Sequence, residues 1–313
     1  MNFKERWRQS LEEENAILRT PPQGVVNGRK DFRGFSWKET SPTTSFLRCK
    51  EIVQNVDLSY SEIDGWCSTR ISLENFYLHS AHLPNIRLLD STIKNCQFIA
   101  CDVTGQGSAI FAKSHLIDTV FDACRGNDTW LTLVASAHGS RFIELDIRDV
   151  GDRDPVKAPL ITECFFSGTL QDWFLPQGRG AQQFYKCDIS QAELKNVSFP
   201  GVNFDHVTYS ERISPFVIAD WEQHEPRLRD AVSKAITEGD REASLAGRAI
   251  SRILKKESEA AYWIKNRWDR GSRFAFELHL ENDFPRETVV AIANVYRSIG
   301  LIPDSHPSLT LSR

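Results

Sequence analysis

Between Cys187 and Glu211 the chain reads CDISQ AELKN VSFPG VNFDH VTYSE when cut into fives. The third place of each five holds Ile189, Leu194, Phe199, Phe204 and Tyr209, and the first holds Cys187, Ala192, Val197, Val202 and Val207. A helix repeats its face near 3.6 residues and a strand near 2, so neither produces a period of five. The run Val56 to Gly105 obeys the same rule: VDLSY SEIDG WCSTR ISLEN FYLHS AHLPN IRLLD STIKN CQFIA CDVTG. Its third places are Leu58, Ile63, Ser68, Leu73, Leu78, Leu83, Leu88, Ile93, Phe98 and Val103, all apolar except Ser68. In a chain that is 41% hydrophobic, chance gives such a column about once in 500 trials for a preset frame.

The period has a physical reading. Five residues make one side of a square coil, a short extended piece followed by a turn, with the first and third residues inward. Four sides make a coil of about 20 residues, a period that marks solenoids. Stacked coils hydrogen-bond to their neighbours, so none is stable alone and the ends need caps. On this reading Phe199 and Phe204 are buried, and Asp188, Glu193 and Asn203 face water.

The fives CDISQ, AELKN, VNFDH and CDVTG resemble the pentapeptide-repeat family, whose pattern is a small residue, then Asp or Asn, then Leu or Phe, then two unconstrained places. The resemblance covers residues 30–211. It implies a mainly β solenoid, a right-handed quadrilateral β-helix, here of about eight coils. The chain departs from the pattern at Trp66, Ile71, Phe76 and Ile86, which put bulk at the small inward place. Those coils must distort or trade a large first residue against a smaller neighbour.

The frame is fainter elsewhere. Phe32, Trp37, Leu47 and Ile52 suggest it from Lys30 on, followed by a slip of one residue before Leu58. After Gly105 it returns as Leu116, Phe121, Leu131, Phe142 and Ile147. Two polar stretches with Gly and Pro, Asp149–Pro159 and Pro176–Gln183, read as loops leaving the coil. Loops on a rigid scaffold often carry recognition. Asp152, Arg153, Asp154 and Lys157 in the first and Arg179 in the second are therefore candidate partner contacts.

The flanks differ from the repeat. Residues 1–29 form an N-terminal helix and linker, with Phe3, Trp7, Leu11 and Leu18 as the apolar stripe and Pro21-Pro22 as its end. Residues 212–313 form an α-helical domain. Its expected helices are 226–237, started by Pro226, then 241–269 with Asp240 as N-cap, then 286–299 stopped by Gly300. FAFELHL (274–280) alternates as a strand does. A basic face with Lys255, Lys256 and Lys265 is the rival candidate surface for a partner.

The chain has 313 residues and a net charge of −4. The repeat between 51 and 210 carries −8, the first fifty residues +4 and the rest zero. There is no apolar run long enough for a membrane span and no signal-peptide core at the start, so a cytoplasmic protein without membrane insertion is expected. The seven cysteines follow no ligand spacing, and those at inward first places act as small apolar residues. No P-loop, HExxH, GxSxG or EF-hand spacing is present. A metal site from Cys96 and Cys101 with His79 or His82 is disfavoured, because five-residue spacing belongs to the repeat. The expectation is a non-enzymatic bacterial scaffold or adaptor that binds another protein and takes no cofactor. Nucleic acid is not an expected partner, and a homodimer is compatible with the sequence. Two alternatives stand beside it: a DNA-mimic protector of topoisomerases, and an effector whose C-terminal domain is catalytic.

Overall fold

The computed structural model describes residues 18, 21, 23–38, 47, 50–103, 110–126, 130–148, 159–175, 184–262, 271–279, 282 and 284–312. They form a β-solenoid of about six turns with helices at the C-terminal end. The expected N-terminal helix over 3–18 lies outside the described residues, apart from its last position. The chain divides into two compact units, residues 1–150 with 159–169, and residues 151–158 with 170–313. The last coils therefore group with the helices.

In the first unit the register is the sequence period made visible. Strand Ile52–Asp57 pairs in parallel with Ser72–His79, Ile52 opposite Ser72 and Asp57 opposite Tyr77. Ser72–His79 pairs in turn with Thr92–Lys94 and Gln97–Ile99. Each step is 20 residues, so every residue sits on its counterpart in the next coil. The chain turns at the fifth place. Asn55, Tyr60, Gly65, Arg70, Asn75, Ser80, Asn85, Asp90, Asn95 and Ala100 all have positive φ, between +50° and +78°. Rungs then close the coils: Leu58 N donates to Tyr77 O at 2.9 Å, Tyr60 N to His79 O at 2.8 Å, and Arg70 N to Leu89 O at 2.9 Å.

Outside this run the coils are longer than 20 residues. Lys30 lies opposite Val56, Thr92 opposite His115, His115 opposite Ser136, and Ser136 opposite Leu160. The sides keep their register across the longer coils, since added length in a connection costs little. The expected slip before Leu58 also needs correcting. Ile52 points outward at 69% exposure and Val53 is the buried residue, so this coil is already in phase.

All ten first places and all ten third places from Val56 to Val103 are buried. The bulky first places are accommodated by trade. Trp66 shares its coil with Ser68, the one polar third place, and its Nε1 donates to Ser68 Oγ at 3.1 Å. Phe76 lies between Val56 and Cys96 on the neighbouring coils. Where small polar residues take the first place, they bond the backbone: Ser114 Oγ donates to Leu88 O at 2.6 Å, and Thr119 Oγ1 to Ile93 O at 3.1 Å. One third-place column is aromatic. Phe98, Phe121, Phe142 and Phe166 stack at 4.9, 5.4 and 5.1 Å with interplanar angles of 14°, 8° and 7°. Phe111 and Trp130 pack beside Phe121 at 5.4 and 5.2 Å, making Phe121 the hub of this core.

In the second unit Phe199 and Phe204 are buried, as the repeat requires. Asp188 and Glu193 are half-buried, and Asn203 is buried, contrary to expectation. The reason is a local hydrogen bond. The Asn203 side chain accepts from Asp205 N at 2.9 Å and caps the turn Phe204–His206. Gly271 passes directly over it, and a Cβ there would lie 2.1 Å from Asp205 Oδ2 and 2.2 Å from Asn203 Oδ1. Ser272 N and Oγ both donate to Asp205 Oδ1, and Phe204 N donates to Ser272 O at 2.8 Å. Phe274 stacks on Phe204 at 5.4 Å. The segment after Gly271 thus fastens to the end of the coil.

That segment also starts the helical part. Val217–Ile218 pairs antiparallel with Arg273–Phe274. The expected strand over 274–280 survives only as Phe274, because Phe276–Leu278 is a 3-10 turn. The turn brings Glu277 back to Arg273, whose guanidinium donates to both carboxylate oxygens at 2.9 and 3.1 Å. Tyr296 OH also donates to Glu277, and Trp221 lies under the guanidinium at 4.6 Å. Helices α1 (Trp221–Thr237) and α3 (Arg286–Ser298) supply Trp221 and Tyr296 to this buried group, and α2 (Arg241–Tyr262) packs on both. α1 starts five residues before Pro226, the expected start. Burial of Trp221 outweighs the one backbone bond the proline removes. Asp240 caps α2 as expected, accepting from Ala243 N at 2.8 Å. Beyond Tyr262 the expected extension of α2 lies outside the described residues.

His279 and His306 flank Phe216 at 4.8 and 5.4 Å. Burial, with help from Arg212, lowers the His279 pKa to about 4. Burial lowers that of His306 too, whose Nε2–H donates to Pro215 O while Nδ1 accepts from Ser308 N.

Three outcomes are expected. Phe121→Ala costs about 3–5 kcal/mol in urea unfolding, whereas Phe121→Leu costs less than half as much; equal, mild effects would contradict the stacked core. Ala100, exposed at a left-handed corner, gains about 0.5 kcal/mol on replacement by Gly, since relief of the Cβ clash exceeds the added chain entropy. Finally, an unfolded His279 titrates near 6.5 and the folded one near 4, so the unfolded chain binds more protons between those values. Stability from the neutral ring is complete above about pH 6.5 and is lost as pH falls toward 4. Melting temperatures of His279→Phe should therefore fall less between pH 7 and 4.5 than those of the parent.

Candidate protein-interaction surface

The outward second and fourth places of the solenoid form walls at rung spacing. On the wall built from Ser72–His79, Gln97–Ile99, Val120–Asp122 and Arg141–Arg148, the second-place column runs Tyr77, Gln97, Val120, Arg141. The fourth-place column runs His79, Ile99, Asp122, Ile143. Most of these side chains are half-buried, and Arg141 is exposed. Arg141 lies over the Phe165 ring at 4.6 Å, and Arg29 over Tyr77 at 5.2 Å. Tyr60 and His79 meet edge to face at 5.5 Å. Aromatic, aliphatic and arginine side chains in this density, held on a backbone of parallel rungs, match the composition of protein-binding patches.

The adjacent sides mix outward aliphatic residues, Ile52, Leu89, Ile117 and Leu160, with charges that alternate in sign. One column runs Glu62, His82, Asp102, Arg125 through successive bridges, with His82 Nδ1 3.0 Å from Asp102 Oδ2. Arg70 pairs with Asp90 at 2.9 Å and Lys94 with Glu74 at 3.8 Å. These pairs are exposed and contribute little stability. Their effect is to break up any continuous negative stripe.

The candidate residues read from the sequence fare unevenly. Asp152, Arg153, Asp154, Lys157, Arg179 and Lys265 lie outside the described residues. Lys255 is exposed on α2; Lys256 belongs to the same helix, with its side chain outside the described set. The disfavoured metal grouping does not assemble: Cys96 and Cys101 are buried at inward places, whereas His79 and His82 stand on the outer surface. Burial pushes the Cys96 and Cys164 thiols up to about 12. Cys101 is raised by its hydrogen bond to Cys124 and by burial. Protonated, buried thiols are neither nucleophiles nor ligands. Among the described residues no cluster of three or more His, Cys, Asp or Glu could hold a metal. None of their helices is long and apolar enough to cross a membrane.

Sequence reasoning missed the apolar wall because Tyr77, Ile99, Val120 and Ile143 lie 20 or more residues apart. Their places in the repeat are nominally unconstrained, and the longer coils shift the frame between them. The signal that could have found them is the recurrence of apolar residues at outward places once coil length is allowed to vary.

No family model matches the chain, and no curated protein does. Among solved structures it is similar to HetL, a pentapeptide repeat protein involved in heterocyst differentiation regulation from the cyanobacterium Nostoc sp. strain PCC 7120, at 11% identity and a TM-score of 0.19. That match covers 58% of this chain and 86% of the other.

Proposed function

We propose that the protein is a non-enzymatic scaffold that docks another protein on its solenoid wall and on the loops that leave the coil. The observation that carries this reading is the wall of Tyr77, His79, Ile99, Val120, Arg141 and Ile143. It places half-exposed apolar and aromatic groups where the neighbouring sides carry charge pairs. A stack of hydrogen-bonded coils suits this use because it holds side chains rigidly, so little entropy is lost when a partner binds. The stretches 149–159 and 176–183, with Asp152, Arg153, Asp154, Lys157 and Arg179, together with Lys255 and Lys256 of α2 and Lys265 beyond it, complete the proposed contact set. DNA mimicry is the less favoured reading. It asks for a continuous acidic face, and the charge ladders described above alternate in sign.

The test is affinity capture from source cells with the full chain as bait, compared with two variants that keep the parent's melting temperature. One carries Val120→Glu and Ile143→Glu; the other has both loops replaced by Gly-Ser linkers. At least a tenfold loss of the captured partner is expected with the first, and a partial loss with the second. Undiminished capture by both would remove the reading. Inhibition of DNA gyrase supercoiling by the purified protein, relieved by neutralising acidic wall residues, would turn it toward DNA mimicry.

A further inference from the structure

The solvent face of α2 carries a row of arginines that the wall reading does not use. Arg241, Leu245, Arg248, Arg252 and Lys255 follow one another at steps of four, three, four and three residues, so they fall in one narrow stripe of the helix. All five are exposed, Leu245 at 54%. The stripe lies opposite Ala246, Ile250 and Leu254, which are buried. No carboxylate stands within it: Asp240 caps the helix, and Glu242 lines the cleft beside α1 and α3 instead. By sequence Glu259 takes the next place in the spacing, so the basic row spans the first four turns.

The row works against the helix that carries it. Arg241 occupies the first turn, where the positive end of the helix dipole favours an acid. Arg248 and Arg252 are like charges four residues apart, which repel. Three other arginines of the helical part are paired: Arg229 with Glu225 at 2.6 Å, Arg273 with Glu277 at 2.9 Å and Arg297 with Asp304 at 3.6 Å. Arg241, Arg248 and Arg252 make no ion pair among the described residues. An uncompensated charge row with an exposed leucine inside it breaks local rules without gain to the fold, and such departures mark contact sites.

The spacing selects the occupant. Arg241 and Arg252 are about 17 Å apart along the axis at 1.5 Å per residue, and steps of four and three are those of a helix–helix seam. A second helix with Asp or Glu at the same steps repeats these rises. Its carboxylates meet guanidinium forks that bind them two oxygens at a time, and one apolar residue among them meets Leu245. A phosphate chain has even spacing and nothing apolar for Leu245. A membrane surface gains only charge attraction, because the apolar face of α2 is turned inward. We infer that the outer face of α2 docks an acidic helix of a partner protein, read by Arg241, Arg248 and Arg252 around Leu245. The inference rests on the scaffold reading and gives its α2 contact a chemistry.

The probes are two stapled helical peptides of identical composition. One carries Glu, Leu, Glu and Glu at steps of four, three and four; the other distributes the same residues around the helix. In fluorescence anisotropy with the full chain, the spaced peptide is expected to bind at least tenfold more tightly. Arg248→Glu/Arg252→Glu, at exposed positions and checked by melting temperature, should weaken it at least tenfold. A peptide with Lys in place of its last two Glu should recover binding to that variant, a rescue that a merely disturbed helix would not allow. Equal binding of the two parent peptides would overturn the inference, since the row would then attract any anion. So would tighter binding of a single-stranded oligonucleotide, or of vesicles of equimolar phosphatidylserine and phosphatidylcholine, abolished by the same variant. Val120→Glu/Ile143→Glu leaves this face untouched and should bind the spaced peptide as the parent does, so failure of the wall reading and failure of this one are read separately.

Discussion

Each rung of this solenoid forms only if the chain turns by the same amount at every fifth residue. That requirement falls on the backbone before it falls on any side chain. Ten successive fifth places from Asn55 to Ala100 adopt left-handed φ, a conformation disfavoured for residues with a Cβ. Asn75, Asn85, Asn95 and Gly65 meet it with residue types that tolerate it. Tyr60, Arg70 and Ala100 do not, and are held there by the rungs on either side. The local cost is met by long-range bonding, so no coil is independent of its neighbours.

The same dependence explains the core. Since register is set at the corners, equivalent residues stack, and the inward columns must balance volume both within and between coils. Trp66 is admitted by Ser68, and Phe76 by Val56 and Cys96. The phenylalanine column persists through coils of different length because the sides stay in register.

The helical part depends on a different interaction, the buried Arg273–Glu277 pair with Tyr296 and Trp221. Two charges taken out of water are tolerated only when their hydrogen bonds are met. Here the carboxylate accepts from Arg273 and Tyr296 together. This group joins the strand that follows Gly271 to α1 and α3, and the same strand is fastened to the last coil through Asp205 and Phe204. It is a physical reason for the final coils to group with the helices.

The five-residue period, the inward first and third places and the helical C-terminal part were legible in the sequence. They depend on local pattern, and local pattern survives translation into a coil. The coil lengths, the inward Val53 beside outward Ile52, and the burial of Asn203 were not. Each is decided by what an adjacent coil or the strand after Gly271 brings against it. The outward columns belong to the same class. Tyr77 and Val120 are ordinary residues at distant positions until register sets them in one column. Sequence alone determined the kind of coil; only tertiary structure decided which side chains stand together on each face, because a face is an arrangement of residues far apart in the chain.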